Sequence, residues 1–410
     1  MSLSIDRILT GRPVPRSYAV TIPEYEAVVF EYKFDEGNAA NNVSMNNIFF
    51  DNRTPATFGA ELVTNSEFTG TYVGGVAPDW SVDAGVTASE STGELGQQVQ
   101  RVTDMNGVSQ GLQGTALTLT TGSIYVIDVD VKKISGTGSL QIQLDGMVGM
   151  TGTYDVAGAS IPTANPIHIK FYAVANSNTS SVTITADDTS LELDVYSVQA
   201  KEVGGGNHMV MDFDVYDEAN RYINYYDFNG VDQYAYITDA RQAGLDMGTS
   251  QTSYATIFQM DTAGPGHIFG KWKNGDFSYL FTFESPRFFR QYVSANGITV
   301  QNFRGSTVFT VPMTSFSFFG TSYDTPNGIG KMNINGVAES LIYSVGPPLT
   351  IINHKNNSFH TAISASFDGS NNPTNFVNGK LGYVLCWKGV ALDQAQLTQV
   401  YSLLRSSYGI

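Results

Sequence analysis

The sequence predicts an all-β protein: two tandem β-sandwiches of the jelly-roll kind, an extended N-terminal arm and one C-terminal α-helix. Three observations lead there. Apolar and polar residues alternate with period two in many short runs. Gly, Asn, Asp and Ser separate those runs at intervals of about ten residues. The composition is aromatic-rich and charge-poor, with 22 Tyr, 24 Phe and 41 Gly against only 15% charged residues.

Residues 1–58 read differently from the rest. One strand is expected over Ala27–Phe34, followed by the Asn-rich "DEGNAANNVSMNN". So little apolar surface cannot fold alone, and the segment is expected to pack on a partner or on the rest of the chain.

Residues 59–203 carry the first strand series. In "SIYVIDVDVKKI", Tyr125, Ile127, Val129 and Val131 share one face, opposite Asp128, Asp130 and Lys132. "LQIQLDG", "HIKFYAVA", "SVTITAD" and "LELDVYSVQA" continue it. "VGGGN" at 203–207 sets the boundary with the second unit, 204–410.

That unit runs through "QYAYITD", "YATIFQMD", "HIFGKW", "FSYLFTFE", "FRQYVS", "FSFFGTSY" and "GKMNING". Asn335-Gly336 in the last is a two-residue hairpin signal. The helix is expected in "LDQAQLTQVYSLLRSSYG", with Asp393 and Gln396 as a capping box and Leu392 stapled to Leu397. Its stripe of Leu397, Val400, Tyr401, Leu404 and Tyr408 is expected to cover one end of the sandwich.

Charge and cysteine content exclude several classes. A net charge of −16 opposes binding to nucleic-acid phosphates. The single Cys386 excludes an internal disulfide framework and reads as a buried strand residue. No apolar run approaches the roughly 20 residues of a bilayer span, and "MSLSIDRILTGRPVP" lacks the pattern of a signal peptide.

No catalytic residue is nominated. The five histidines, His168, His208, His267, His354 and His360, show no zinc-ligand spacing. A Gly-x-Ser-x-Gly elbow is absent, and "GGGN" lacks the Lys-Ser/Thr of a phosphate loop. "DFDVYDEANRYI" breaks the EF-hand pattern at Tyr216 and Glu218. Sugar binding would need exposed aromatics beside amides or carboxylates. Trp272, next to a turn, and Tyr225, Tyr234 and Tyr236 are the glycan-binding candidates, whereas Trp80 and Trp387 read as core. "YDFNGVDQYAYI" (226–237) reads as a turn in which Asn229 and Asp232 bond local amides and Gly230 supplies backbone freedom.

Two stretches of the first unit, "ELVTNSEFTGTYVGGVAPDWSV" and "LELDVYSVQAKE", resemble the opening and closing of carbohydrate-binding-module-like jelly rolls. In the second, "YDFNGVDQYAYI", "GTSYDTPNGIGKMNINGV" and "NGKLGYVLCWKGVALDQAQLTQVYSLLRSSYG" resemble laminin-G-like or concanavalin-A-like sandwiches. The two modules behind an arm, joined through "NRTPATFGAELVTN", are similar to structural proteins of tailed bacteriophages. The resemblance implies a non-enzymatic virion component: a head decoration or fibre, or a tail appendage. It would be made in the host cytoplasm, attached to other virion proteins through its arm, assembled as a homo-oligomer, and able to contact host-surface glycans. A tail receptor-binding lectin is the alternative, and a glycan depolymerase the remaining class. Glycosidases on the lectin sandwich carry Glu-x-Asp-x-(x)-Glu. Here Tyr196 and Ser197 stand where the second Glu belongs, so Glu192 and Asp194 read as a solvated strand face. A structural calcium is the one cofactor the resemblance allows, with Asp187, Asp188, Asp232 and Asp324 as its candidate ligands.

Overall fold

The computed structural model describes residues 22–24, 28–33, 47–51, 56–106, 110–144, 147–148, 153–211, 225–242, 244–262, 264–284, 287–345, 348–351 and 353–410. The rest of the expected arm and the whole rejected EF-hand stretch, 212–223, lie outside these residues. The chain is all-β, as its alternating runs predict, and one helix closes it.

The first sandwich packs a seven-stranded sheet on a five-stranded one. The larger runs Met147–Val148, Ile167–Ala175, Ile124–Ser135, Glu192–Gly204, Gln98–Thr103, Thr87–Thr92, with Thr57–Glu61 added along Glu192–Gly204. The smaller orders Thr153–Val156, Leu140–Leu144, Val182–Ala186, Leu112–Gly114 and Trp80–Val82. Tyr125, Ile127, Val129 and Val131 face inward together, as their spacing requires. Their partners across the core include Leu140, Ile142, Val182 and Ile184. The loop "LVTNSEF" closes one end. Asn65 accepts from the Thr69 amide (2.8 Å), and its carbonyl takes the Trp80 indole N–H (3.0 Å). Phe68 lies 4.7 Å from the Trp80 ring, which is buried as expected.

The second sandwich packs a seven-stranded sheet, with Asn378–Lys388 and Thr252–Met260 at its centre, on an eleven-stranded one built around Gly266–Lys273 and Asp276–Glu284. Val28–Lys33 forms the strand expected near Ala27–Phe34 and pairs with Asn378–Lys388. Ile48–Phe49 pairs with Met209–Met211. The described strands of 1–58 are thus woven into the sheets. Asn335 and Gly336 both have positive φ (49° and 85°), which closes the tight hairpin.

Helix Gln394–Tyr408 carries the full capping box: the Asp393 carboxylate accepts from the Gln396 amide, and the Gln396 side chain accepts from Asp393 N–H. It lies on the outer face of the seven-stranded sheet rather than at one end of the sandwich. The reason is alternation. Tyr254, Val384 and Cys386 point into the core, while Ala255, Ile257, Tyr383, Leu385 and Trp387 point outward as an apolar surface needing cover. Leu397, Val400 and Leu404 bury against it.

The two sandwiches meet on a third apolar cluster. Ile124, Val126, Tyr172, Val174 and Val203 come from the outer face of the first sandwich's large sheet. Val210, Tyr236, Ala362 and Phe367 face them from the second. Thr238 Oγ1 donates to the Gly122 carbonyl (3.0 Å), and Arg241 pairs with Glu202 (2.7 Å) across the same joint.

Candidate binding cleft

The outer face of the first sandwich's large sheet divides into two halves. Along Ile124–Ser135 the outward residues are Ile124 and Val126, then Asp128, Asp130 and Lys132. The neighbouring strand follows suit: Tyr172 and Val174 pair opposite Val126 and Ile124, whereas Lys170 and His168 pair opposite Asp128 and Asp130. The apolar half is covered by the second sandwich. The polar half floors a cleft of about 480 Å³, lined by Glu67, Thr69, Gln97, Gln98, Asp130, Pro166, Ile167, His168, Tyr196, Ser197 and Gln199.

A β-bulge builds the centre of this cleft. In Glu192–Gly204, Val195 pairs with Val131 and Ser197 with Asp130, leaving Tyr196 as an extra residue. Leu193, Val195, Val198 and Ala200 face the core. Two consecutive residues, Tyr196 and Ser197, therefore line the outer cleft together. The far wall is loop 66–70, pinned by Gln98. Its side chain accepts from Gly70 N–H (3.1 Å) and donates to Gly70 C=O (3.0 Å).

The floor is electrostatically ordered. His168 lies between two carboxylates, Nε2 at 3.1 Å from Asp128 and Nδ1 at 2.9 Å from Asp130. Hydrogen bonds to Asp128 and then Asp130 raise its pKa to about 9, so it stays an imidazolium at neutral pH. Burial pushes the Asp130 carboxyl up, but the bonds from His168 and from Ser197 Oγ (2.7 Å) outweigh it and hold it below its ordinary value. Glu94 is lowered to about 2 by its bonds from Lys132 and from the Tyr196 hydroxyl. Burial, then the bond to Glu94, raises the Tyr196 phenol.

Asp194 corrects the expectation of a solvated face. It is 3% exposed and receives two parallel bonds from Arg101, at 2.8 and 2.9 Å. The cause is register, since Asp194 sits directly opposite Arg101 on the adjacent strand. Glu192 stays partly exposed and accepts from Ser135 (2.9 Å).

The glycan candidates fall in three places. Trp272 stacks on Phe277 (4.5 Å) beside Tyr292, at a bulge in the second sandwich's large sheet. Tyr225 packs against Phe316 (5.3 Å) under the Lys380 ammonium. Tyr234 and Tyr236 come together, 5.7 Å apart, at the joint between the sandwiches.

The four Asp candidates are each bonded to a local turn or loop. Asp187 accepts from Ser139 N–H, and Asp188 from Ser190 N–H. Asp232 accepts from the Asn229 amide, and Asp324 from Gln251 and Asn327. Among the described residues, no three His, Cys, Asp or Glu side chains are grouped to hold a metal ion. Asn229 Oδ1 in turn accepts from the Val231 amide (2.9 Å), and Gly230 has φ 73°, so "YDFNGVDQYAYI" is a corner that carries the chain from one sheet to the other.

The Tyr196 cleft was missed in the sequence. Its signal was the break in "LELDVYSVQA", where Tyr196-Ser197 separates two apolar positions that strict alternation would set one residue apart.

By fold, the chain belongs to the β-sandwich class. No family model matches it, and neither does any curated sequence. Among solved structures, 38% of the chain aligns with 71% of a native heptameric SAP-like pentraxin from Limulus polyphemus, at 13% identity and a TM-score of 0.31. The CBM22-1 xylan-binding domain of Paenibacillus barcinonensis Xyn10C aligns over 94% of its length with 43% of this chain, at 11% identity and a TM-score of 0.24. For the CBM40 of Ruminococcus gnavus IT-sialidase the figures are 82%, 37%, 9% and 0.31. These alignments fix neither a family nor a ligand for the chain.

Proposed function

We propose that the protein is a non-enzymatic structural component of a tailed-phage particle that contacts host-surface glycans through the Tyr196 cleft. The observation that carries the glycan reading is the bulge-built floor. The Tyr196 phenol lines the cleft together with the side-chain amides of Gln97 and Gln199, while Gln98 and His168, already bonded to Gly70 and to Asp128 and Asp130, hold its walls and floor in place. Sugar C–H faces stack on such a ring, while hydroxyls bond the amides and charged groups. Glu67, Asp130 and the net charge of −16 disfavour acidic sugars, so the ligand is a neutral or amino-sugar glycan.

Electrostatics supports the non-enzymatic reading. Glycoside hydrolysis needs one carboxyl held protonated as the acid. Asp130 in the cleft and Glu94 beside it are shifted the opposite way. Asp227 is pushed up by burial, but it lies beside Lys380 and Asp261 on the second sandwich and does not line the cleft.

The virion assignment rests on the sequence resemblance: two lectin-like modules behind an attachment segment. Mass spectrometry of gradient-purified particles tests it. The reading expects this chain in stoichiometric amount on assembled particles, and its absence from them would overturn the assignment.

A further inference from the structure

The joint between the sandwiches leaves an opening of about 330 Å³, lined by both. The first sandwich contributes Asn176, and the second contributes Tyr234, Tyr236, His360, Phe367 and Asn371. Tyr234 and Tyr236 form a stacked wall at 26° between ring planes. Phe367 meets Tyr234 edge-on at 5.9 Å, and His360 lies 5.3 Å from Tyr236. Burial pulls His360 below the usual histidine range, which keeps this wall neutral. Asn176 and Asn371 are exposed, and their side-chain amides make no hydrogen bond among the described residues.

We propose that this opening is a second ligand site, separate from the Tyr196 cleft, that takes one neutral pyranose ring. Several observations argue for that class. Among the described residues that line it there is no Lys, Arg, Asp or Glu to partner an ionised ligand, which would lose hydration on entering. A continuous aromatic wall suits the C–H face of a sugar. Two amides, one from each sandwich, can each donate to and accept from ring hydroxyls. The location also fits, since small-molecule sites favour domain junctions and begin near this volume. Because each sandwich supplies one amide, the bound ring bridges the two.

The test titrates the full chain with glucose, galactose, mannose and N-acetylglucosamine, read by saturation-transfer NMR and calorimetry. Saturable binding of at least one sugar is expected, weakened tenfold or more by Tyr234→Ala and by Asn371→Gly. It should persist when Tyr196→Ala disables the other cleft. Asn371 is exposed but holds φ 73°, so Asn371→Gly, which keeps that turn while removing the amide, separates lost binding from lost structure. Binding of none of the four sugars, or unchanged binding in Asn371→Gly and Tyr234→Ala, overturns this site. Binding abolished by Tyr196→Ala alone overturns it too, while leaving the first cleft as the glycan site.

Discussion

The side chain of Asn47 closes a pair of hydrogen bonds on the backbone of Tyr172: Oδ1 accepts its N–H at 2.9 Å, and Nδ2 donates to its C=O at 2.8 Å. The second N–H of the same amide donates to Met211 C=O at 2.8 Å. Asn47 is fully buried. One residue of the N-terminal segment therefore joins a strand of the first sandwich to a strand of the second.

Replacing Asn47 by Ala removes its side-chain hydrogen bonds to three buried backbone groups. The expected loss is about 3 kcal/mol, read by urea denaturation. Asn47→Asp should cost a similar amount, because a carboxylate cannot donate to the two carbonyls. Limited proteolysis should cut both variants faster near the joint. A loss below about 0.5 kcal/mol in both would show that Asn47 does not hold the sandwiches together.

The second sandwich should be acid-labile. His267 and His354 are buried, and desolvation lowers both pKa values to about 3. Both ring nitrogens of His354 lack hydrogen-bond partners among the described residues, and its ring meets Tyr279 and Tyr323 edge-on. The unfolded chain binds protons at these sites below its ordinary pKa of about 6.5. The folded chain does not until about pH 3. Stability should fall as pH drops from about 6.5 toward 3, and His354→Phe should flatten that slope. Denaturant midpoints from pH 7 to 4 check this.

His168 should act in the opposite sense. Its pKa is raised to about 9, so its contribution is complete below the unfolded value and lost as pH climbs through 9. The side chain is 52% exposed, which keeps the stability effect small. Titration of its ring protons by NMR should return a pKa above 8 in the intact chain. Asp130→Asn should bring it down toward 6.5.

Lys271 is fully buried at its side chain and bonded to Asp239 and Asp246, both partly exposed. Gln242 ties these carboxylates to Thr361. Lys271→Met should cost about 2 kcal/mol, less than for a wholly buried pair, because water can reach both carboxylates. Adding Asp246→Asn should recover part of that loss in a double-mutant cycle. Strict additivity would mean the pair is not coupled.

Much of this architecture was legible in local chemistry. Alternation in "SIYVIDVDVKKI", positive φ at Asn335-Gly336 and the Asp393–Gln396 box each depend on a few adjacent residues, and each formed as read. What escaped depends on register between distant strands. Asp194 became buried because Arg101 stands opposite it, 93 residues away in sequence. The helix found an outer sheet face because three strands together turned apolar residues outward. Ile124 and Val126 signalled an interface only once aligned with Tyr172 and Val174. Of the candidate aromatics, Tyr234 and Tyr236 share a place because period two puts them on one face. Trp272 and Tyr225 share nothing with them that sequence proximity could reveal.

The most direct test of the glycan-contact claim is a glycan array probed with the intact protein and with Tyr196→Ala. Binding to neutral or amino-sugar glycans, reduced at least tenfold by Tyr196→Ala with an unchanged fold by circular dichroism, is the expected result. Binding to no glycan, or equal binding by both proteins, would contradict it.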